Sequence, residues 1–282
     1  ALARIRLSCM IAINECIRRH PEVFVRCSSE FPFFPGVQRI GTMIERGAFG
    51  RVIEVNAGFK HSSDLNPDKA INWKRRIDVN GAYGCMGDLG LHVCHVPFRA
   101  GWLPRDVRAV LSNIMTERPD ASGQMVPCET WDNATLLCTA TDDDGAEFPL
   151  TLKTQRIAPG EKNTWYLEVL GTRTSARWSS KQANTLEMLE YEPGAEQVWQ
   201  VLDLGTEMAF PSITGGIFEV GFTDIMLQMW AAFLYEFVRG TPKVRFAGCA
   251  TPAEVAASHA LFTAALQSQR AAQVVPVEAT EI

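Results

Sequence analysis

The sequence predicts an α+β fold: a large, predominantly antiparallel sheet with helices on one face, preceded by a short piece of α/β structure. Three observations support this prediction. Short alternating segments fill residues 106–204, apolar helical segments follow them, and a helix with a short apolar segment precedes them. With 282 residues, 46% of them hydrophobic, the chain is long enough for one large domain or two smaller ones.

Three helices and two strands are predicted before residue 106. Apolar residues at helical spacing favour the helices, and Pro35 suits the first turn of the second one. Pro97 is expected to limit or kink the third helix. These elements are a helix that ends at His20-Pro21, a strand over 23–27, a helix over 35–45, a strand over 51–59 and a helix over 85–96.

Strands dominate the next hundred residues, and two helices follow. Asp142-Asp-Asp-Gly145 lies between two alternating segments and predicts a hairpin turn. Thr251-Pro-Ala-Glu254 has the form of a helix-capping box. The predicted strands are 107–115, 130–141, 146–157, 164–170, 175–179, 185–191 and 197–204, and the predicted helices are 222–238 and 251–270. Residues 271–282 are expected to fray.

Charge and composition argue against several classes of protein. The net charge is −5 without a basic block, which argues against a nucleic-acid partner. No apolar run approaches the ~18 residues of a membrane span, and the first residues lack the layout of a signal peptide. The 8 cysteines form no C-x-x-C pair, so we expect reduced, buried thiols in a cytoplasmic protein.

The segment from Asn80 to His95 is the strongest candidate for a functional site. In a helix, Asp88, His92 and His95 would share one face. An aspartate one turn from a histidine can fix its tautomer and stabilise its protonated form, which suits a general base. Glycines at 81, 84, 87 and 90 would let a ligand approach this face.

Alternatives to a catalytic role remain open for the same residues. Asp88 and His92 could be a helix cap and a packed core histidine, and a metal site at Asp88, His92 and His95 lacks a further ligand. The chain contains no G-x-G-x-x-G motif and no P-loop. Gly84-x-x-Gly87-x-x-Gly90 has the wrong spacing for a dinucleotide-binding loop and does not follow a predicted strand.

Four stretches in this order resemble the GFO/IDH/MocA oxidoreductases, the relatives of glucose–fructose oxidoreductase and inositol dehydrogenase. They are 43–52, 81–92 with its Asp-x-Gly-x-His core, 167–172 and the helix that begins at Thr251. The resemblance implies that residues 1–28 are the last helix and strand of a Rossmann domain. Residues 29–282 would be the C-terminal domain for substrate binding and oligomerisation. NAD or NADP would be bound mainly by the missing N-terminal domain.

The resemblance also implies a reaction, the oxidation of a secondary hydroxyl of a sugar or cyclitol or the reverse reduction. His92 would accept the hydroxyl proton while the substrate carbon transfers a hydride to nicotinamide, and Asp88 would orient His92. Glu30 stands where the family usually has a basic residue.

Substrate contacts are predicted at Trp73, Lys74 and Arg75, where an aromatic face and basic groups could hold a sugar or a cofactor phosphate, and at His95, which could instead be a packed histidine. For Trp73-Lys74-Arg75-Arg76 the alternative is a solvated basic loop. Two other functions stay open: a non-catalytic assembly domain, and a metal-dependent lyase or hydratase using Asp88, His92 and His95. We also expect a homo-oligomer through the outer sheet face, with apolar contacts from Trp131, Leu137, Trp165, Leu167, Trp178, Met188 and Trp199.

Overall fold

The computed structural model describes residues 7–142, 144–205 and 208–278. Its helices are α1 (Leu7–Arg19), α2 (Pro35–Glu45), α3 (Ile77–Asn80), α4 (Cys85–Arg99), α5 (Phe222–Arg239) and α6 (Pro252–Ala271). Its strands are β1 (Val52–Lys60), β2 (Pro104–Ser112), β3 (Glu117–Pro119), β4 (Met125–Pro127), β5 (Asn133–Thr141), β6 (Glu147–Gln155), β7 (Thr164–Gly171), β8 (Thr174–Ser179), β9 (Thr185–Glu190), β10 (Gln200–Asp203) and β11 (Val275–Pro276).

A nine-stranded sheet organises the fold in the order β10-β9-β8-β7-β1-β6-β5-β2-β11. Every pairing in this sheet is antiparallel except that of β1 with β6. The strands β3 and β4 form a separate two-stranded ribbon. The large, mostly antiparallel sheet with helices confirms the predicted α+β class.

The core lies between one face of this sheet and the helices. Along β1 the side chains of Val55, Ala57 and Phe59 are buried, as the period-two geometry of a strand requires. The helix α4 packs on β6, β1 and β5, α6 packs on β2, and α2 contacts β8. The sheet therefore forms a platform beneath α4, the helix that carries the candidate site.

The buried face holds several residues that were expected on the outer face. Trp165, Leu167 and Trp178 point into the core beneath the helices, so they cannot contribute to an outer interface. On the outer face, Leu137 is 52% exposed and Val110 is 57% exposed. These two side chains lie on the adjacent strands β5 and β2.

Two segments differ from the sequence-based expectation. The predicted strand at 23–27 is wrong except at Cys27, which makes a single bridge to Ala250, because no second strand runs beside the rest of it among the described residues. The predicted fraying of the tail is wrong at β11, which pairs with β2. Val277 adds a backbone hydrogen bond of 2.8 Å to Arg105 and packs against the core.

The helix boundaries agree more closely with the sequence. The helix α2 begins at Pro35 and ends at Glu45, and α6 begins with the capping box of Thr251 and Glu254. Pro97 lies inside α4, two residues before its end, and removes one backbone donor from the last turn. None of the described helices is both long and apolar enough to cross a membrane.

The cysteines were expected to be buried, and most of them are. Cys85, Cys94, Cys128, Cys138 and Cys249 lie in the interior, where burial raises the pKa of each thiol. The expectation is wrong for Cys9 and Cys16 on α1, which are exposed. Both lie on the face of α1 that does not pack against α6.

Candidate functional site

Two contacts fix α4, the helix that carries the candidate site. Gly84 precedes the helix with φ of 57°, and a Cβ at this position would lie 2.6 Å from the backbone nitrogen of Trp131. Only glycine accommodates both the positive φ and this close approach. Further along, Trp165 Nε1 donates a hydrogen bond of 2.8 Å to the carbonyl oxygen of His92. The turn that carries His92 is therefore attached to β7.

His92 lies in a narrow aromatic setting with one carboxylate beside it. Its side chain is 21% exposed, and the edges of Phe31 and Phe59 contact it at centroid distances of 5.7 and 5.5 Å. Its Nδ1 lies 3.6 Å from Oε2 of Glu30. Burial lowers the pKa of His92, and the Glu30 carboxylate partly opposes this effect. The imidazole is consequently neutral at pH 7, as a general base must be.

Asp88 shares a helical face with His92, as predicted, but its partners are cations. It forms an ion pair with Arg156, and its Oδ2 lies 3.6 Å from Nζ of Lys74. Within the described residues no hydrogen bond joins Asp88 to His92, whose Nδ1 faces Glu30 instead. The expected orientation of His92 by direct contact with Asp88 is therefore absent from this arrangement.

Trp73 and Lys74 lie in an accessible part of the same region. They belong to a short 3-10 helix, Trp73–Arg75. The Asn72 side chain caps this helix by accepting a hydrogen bond of 2.9 Å from the Lys74 amide. The Trp73 ring lies 5.5 Å from the Lys74 ammonium and is exposed. Burial, and then the charge of Arg156, lower the pKa of Lys74 to about 8.

Arg75 and His95 are buried, which contradicts their predicted roles as substrate contacts. Arg75 forms ion pairs with Asp64, at 3.1 Å, and with Asp132, so its charge stabilises the loop that carries Lys74. His95 lies on the side of α4 that faces α6, where its Nε2 is 3.8 Å from Oε2 of Glu254. Both side chains are inaccessible to a substrate in this structure.

The glycine segment also has a different role from the one predicted. Gly90 packs under Phe262, whose ring would lie 2.2 Å from an added Cβ, and Gly84 packs against Trp131. At these two positions the space is filled by the protein itself. The expectation of an open path for a ligand is therefore wrong there.

His61 belongs to this region and was missed by the sequence analysis. It follows β1, and its backbone makes hydrogen bonds of 2.8 Å with Gln155 and Ala158. Its ring packs on Phe59 at 4.9 Å, on the same ring that contacts His92. Burial, followed by the charges of Arg156 and Lys74, lowers the pKa of His61 to about 4. Its signal in the sequence was a histidine shortly after the predicted strand at 51–59.

A metal centre finds no support in the described residues. They contain no group of three or more histidine, cysteine, aspartate or glutamate side chains placed to hold a metal ion. Asp88, His92 and His95 have separate partners, namely Arg156, Glu30 and Glu254. This geometry argues against the metal-dependent alternative.

Known proteins match this chain over most of its length. A relative described as an uncharacterized oxidoreductase of Synechocystis sp. is 25% identical over 206 residues, which cover 70% of this chain and 52% of that protein. An NAD binding oxidoreductase from Klebsiella pneumoniae has a TM-score of 0.79 at 19% identity, covering 97% of this chain and 71% of that one. Levoglucosan dehydrogenase in complex with NADH and L-sorbose has a TM-score of 0.72 at 20% identity, covering 89% and 65%.

The matches to solved structures agree on the fold. The chain spans about half the length, or less, of the curated relatives that it matches. At 19% and 20% identity, the likeness to the solved structures shows the fold. Residues 37–177, half of the chain, match the family model described as the GFO/IDH/MocA C-terminal domain. The chain therefore belongs to the GFO/IDH/MocA family of oxidoreductases.

Proposed function

We propose that this chain is the substrate-binding part of an NAD(P)-dependent oxidoreductase that oxidises a secondary hydroxyl of a sugar or cyclitol, or reduces the ketone. One observation carries the proposal: a neutral, partly accessible imidazole, His92, with a carboxylate 3.6 Å from its Nδ1. A neutral imidazole beside a carboxylate suits the removal of a hydroxyl proton. The family match, and a relative solved with NADH and L-sorbose, support the same reaction class.

The reaction divides between this chain and the cofactor. No described strand is followed by a glycine-rich loop and helix that could hold a dinucleotide phosphate, so these residues do not fit the cofactor as a whole. We infer that NAD or NADP is bound mainly by an N-terminal domain, with residues 1–28 as its last part and 29–282 as the substrate domain. When bound, NAD(P) supplies the hydride acceptor.

His92 has the position and the charge state to accept the proton of the substrate hydroxyl. With Nδ1 directed towards Glu30, Nε2 is the nitrogen left with a lone pair for that proton. The exposed ring of Trp73 offers a face for a sugar, and the ammonium of Lys74 can donate to a neighbouring hydroxyl. Trp73 and Lys74 therefore remain proposed substrate contacts.

The function is tested by replacing His92 in the full-length protein. NAD(P)+ reduction is first measured with a panel of sugars and cyclitols, and His92→Ala is then compared with the wild type. We expect kcat to fall by roughly 10²–10⁴-fold with a smaller change in KM, because the base acts in the chemical step. The exposed histidine His20 provides a matched control, since His20→Ala should keep the wild-type rate. A wild-type rate in His92→Ala would contradict the proposal.

We also infer that the chain self-associates through the outer face of its sheet. Because Trp165 and Trp178 are buried, this proposal depends on Leu137 and Val110. Both are more than half exposed and lie on adjacent strands of that face. A contact between copies through this face would remove both side chains from water.

A further inference from the structure

Glu30 occupies a rigid position next to His92. It directly precedes the 3-10 helix Phe31–Phe33, and its carbonyl oxygen accepts a hydrogen bond of 3.1 Å from the Phe33 amide. Phe31 and Phe33 are fully buried, so the backbone on one side of Glu30 is fixed. The Glu30 side chain is itself only 13% exposed. A carboxylate with so little water around it interacts strongly with a neighbouring imidazole.

Asp88 is occupied by other groups. Arg156 forms an ion pair with it, and the ammonium of Lys74 lies 3.6 Å away. A carboxylate shared between two cations has little remaining negative potential for a third partner. The position of Asp88 therefore suits the placement of Lys74 and Arg156 better than the orientation of His92.

The other charged and titratable groups near His92 do not replace Glu30. The neighbouring imidazoles, His61 and His95, disfavour an additional positive charge. Glu30 is the group whose charge favours protonation of His92. The groups on the elements around His92 are Asp88 and His95 on α4, Glu30 before the Phe31–Phe33 turn, His61 after β1, Lys74 in the Trp73–Arg75 turn and Arg156 after β6.

We propose that Glu30, rather than Asp88, is the carboxylate that positions His92 for proton transfer. The negative charge of Glu30, 3.6 Å from Nδ1, favours the neutral tautomer that carries its proton on Nδ1, which leaves Nε2 free to accept the hydroxyl proton. As Nε2 takes up that proton, the imidazolium gains an attraction to the Glu30 carboxylate. Glu30 is thus a positioning residue, and this inference rests on the proposed role of His92 as the base.

The test uses the 15N-labelled 282-residue chain, in which NMR spectra of the histidine rings report tautomer and pKa directly. The signals of His92 are identified by their loss in His92→Gln. We expect Glu30→Gln to lower the pKa of His92 by roughly one pH unit and to weaken the preference for the Nδ1–H tautomer. Glu30→Asp, which keeps the charge, should change both less. Asp88→Asn is the matched comparison on α4 and should leave His92 nearly unchanged.

The outcomes separate this inference from the proposed function. A shift in Asp88→Asn with none in Glu30→Gln would overturn the role of Glu30, and so would unchanged His92 signals in both variants. In the full-length protein, Glu30→Gln should move the acidic limb of the kcat/KM profile to lower pH and reduce kcat. A loss of kcat without movement of the profile would indicate a merely structural residue. If the wild type reduces no NAD(P)+, the proposed function fails while the NMR result still stands.

Discussion

At His92, burial and a carboxylate act on the imidazole in opposite directions, and burial dominates. The result is a neutral ring at physiological pH with its partner acid already in place. A base in this state needs no prior deprotonation. The Glu30 carboxylate then limits the cost of forming a charge in a poorly hydrated site when the proton arrives.

His61 contributes to the pH dependence of stability. Its pKa is about 4 in the folded protein and near 6.5 when unfolded. Between these values the unfolded state binds more protons, so the free energy of unfolding rises with pH through this window and falls on acidification. Acidification from pH 6.5 to 4 lowers the free energy of unfolding. We expect this decrease to be smaller in His61→Gln than in the wild type, by up to about 3 kcal/mol.

This prediction is measured by urea denaturation at several pH values. The lowered pKa values of His92, His95 and His259 act in the same direction, so the variant should keep part of the wild-type slope. The exposed His20 serves as the control, because His20→Gln should leave the profile as it is. An identical slope in His61→Gln and the wild type would show that His61 is not held neutral.

The sequence could place Asp88 and His92 on one helical face, but it could not assign their partners. The spacing of four residues depends on local geometry and is confirmed by α4. The partners come from distant segments: Arg156 lies 68 residues after Asp88, and Glu30 lies 62 residues before His92. Contacts of this kind are set by the tertiary packing, and no periodicity in the sequence contains them.

At the scale of elements, the glycines of α4 differ in how closely they pack against neighbouring side chains. Gly90 lies under the buried ring of Phe262, whereas Gly87 lies on the exposed side of the same helix. We expect Gly90→Ala to lower the free energy of unfolding by about 1–3 kcal/mol, because the added methyl forces the Phe262 ring to move. Gly87→Ala, the matched control, should change it by less than about 1 kcal/mol.

Chemical denaturation followed by circular dichroism measures both variants. Similar values for Gly90→Ala and Gly87→Ala would mean that the helix and Phe262 separate easily.

Helix boundaries such as those of α2 and α6 were predictable because proline and capping residues act locally. The segment at 23–27 was not, because an apolar run alone does not show whether a second strand lies beside it.

For the whole molecule, the fold class and the family were predictable, and the face on which the tryptophans lie was not. The sequence shows that alternate side chains of a strand lie on opposite faces of the sheet. Which of the two faces is buried depends on where the helices pack. Trp165 and Trp178 lie beneath the helices for this reason. The same uncertainty applies to strand order, because β1 pairs with β6 and β7 rather than with its neighbours in sequence.

The proposed contact between sheets is tested by a charge at Leu137. We expect light scattering to show an oligomer for the wild type and a smaller species for Leu137→Lys, because a lysine disfavours apolar burial. Ile213→Lys, at an exposed apolar position outside the sheet, is the control and should not change the mass. A monomeric wild type at high concentration would rule out the contact.

The central position of β1 has a consequence for biosynthesis. Its two partners, β6 and β7, lie roughly one hundred residues further along the chain. A ribosome therefore produces the middle strand of the sheet long before either neighbour exists. During that interval both edges of β1 and the apolar side chains of Val55 and Phe59 have no native cover. The pairing of β1 on both edges therefore has to wait until residue 171 has been made, and contacts so distant in sequence slow folding.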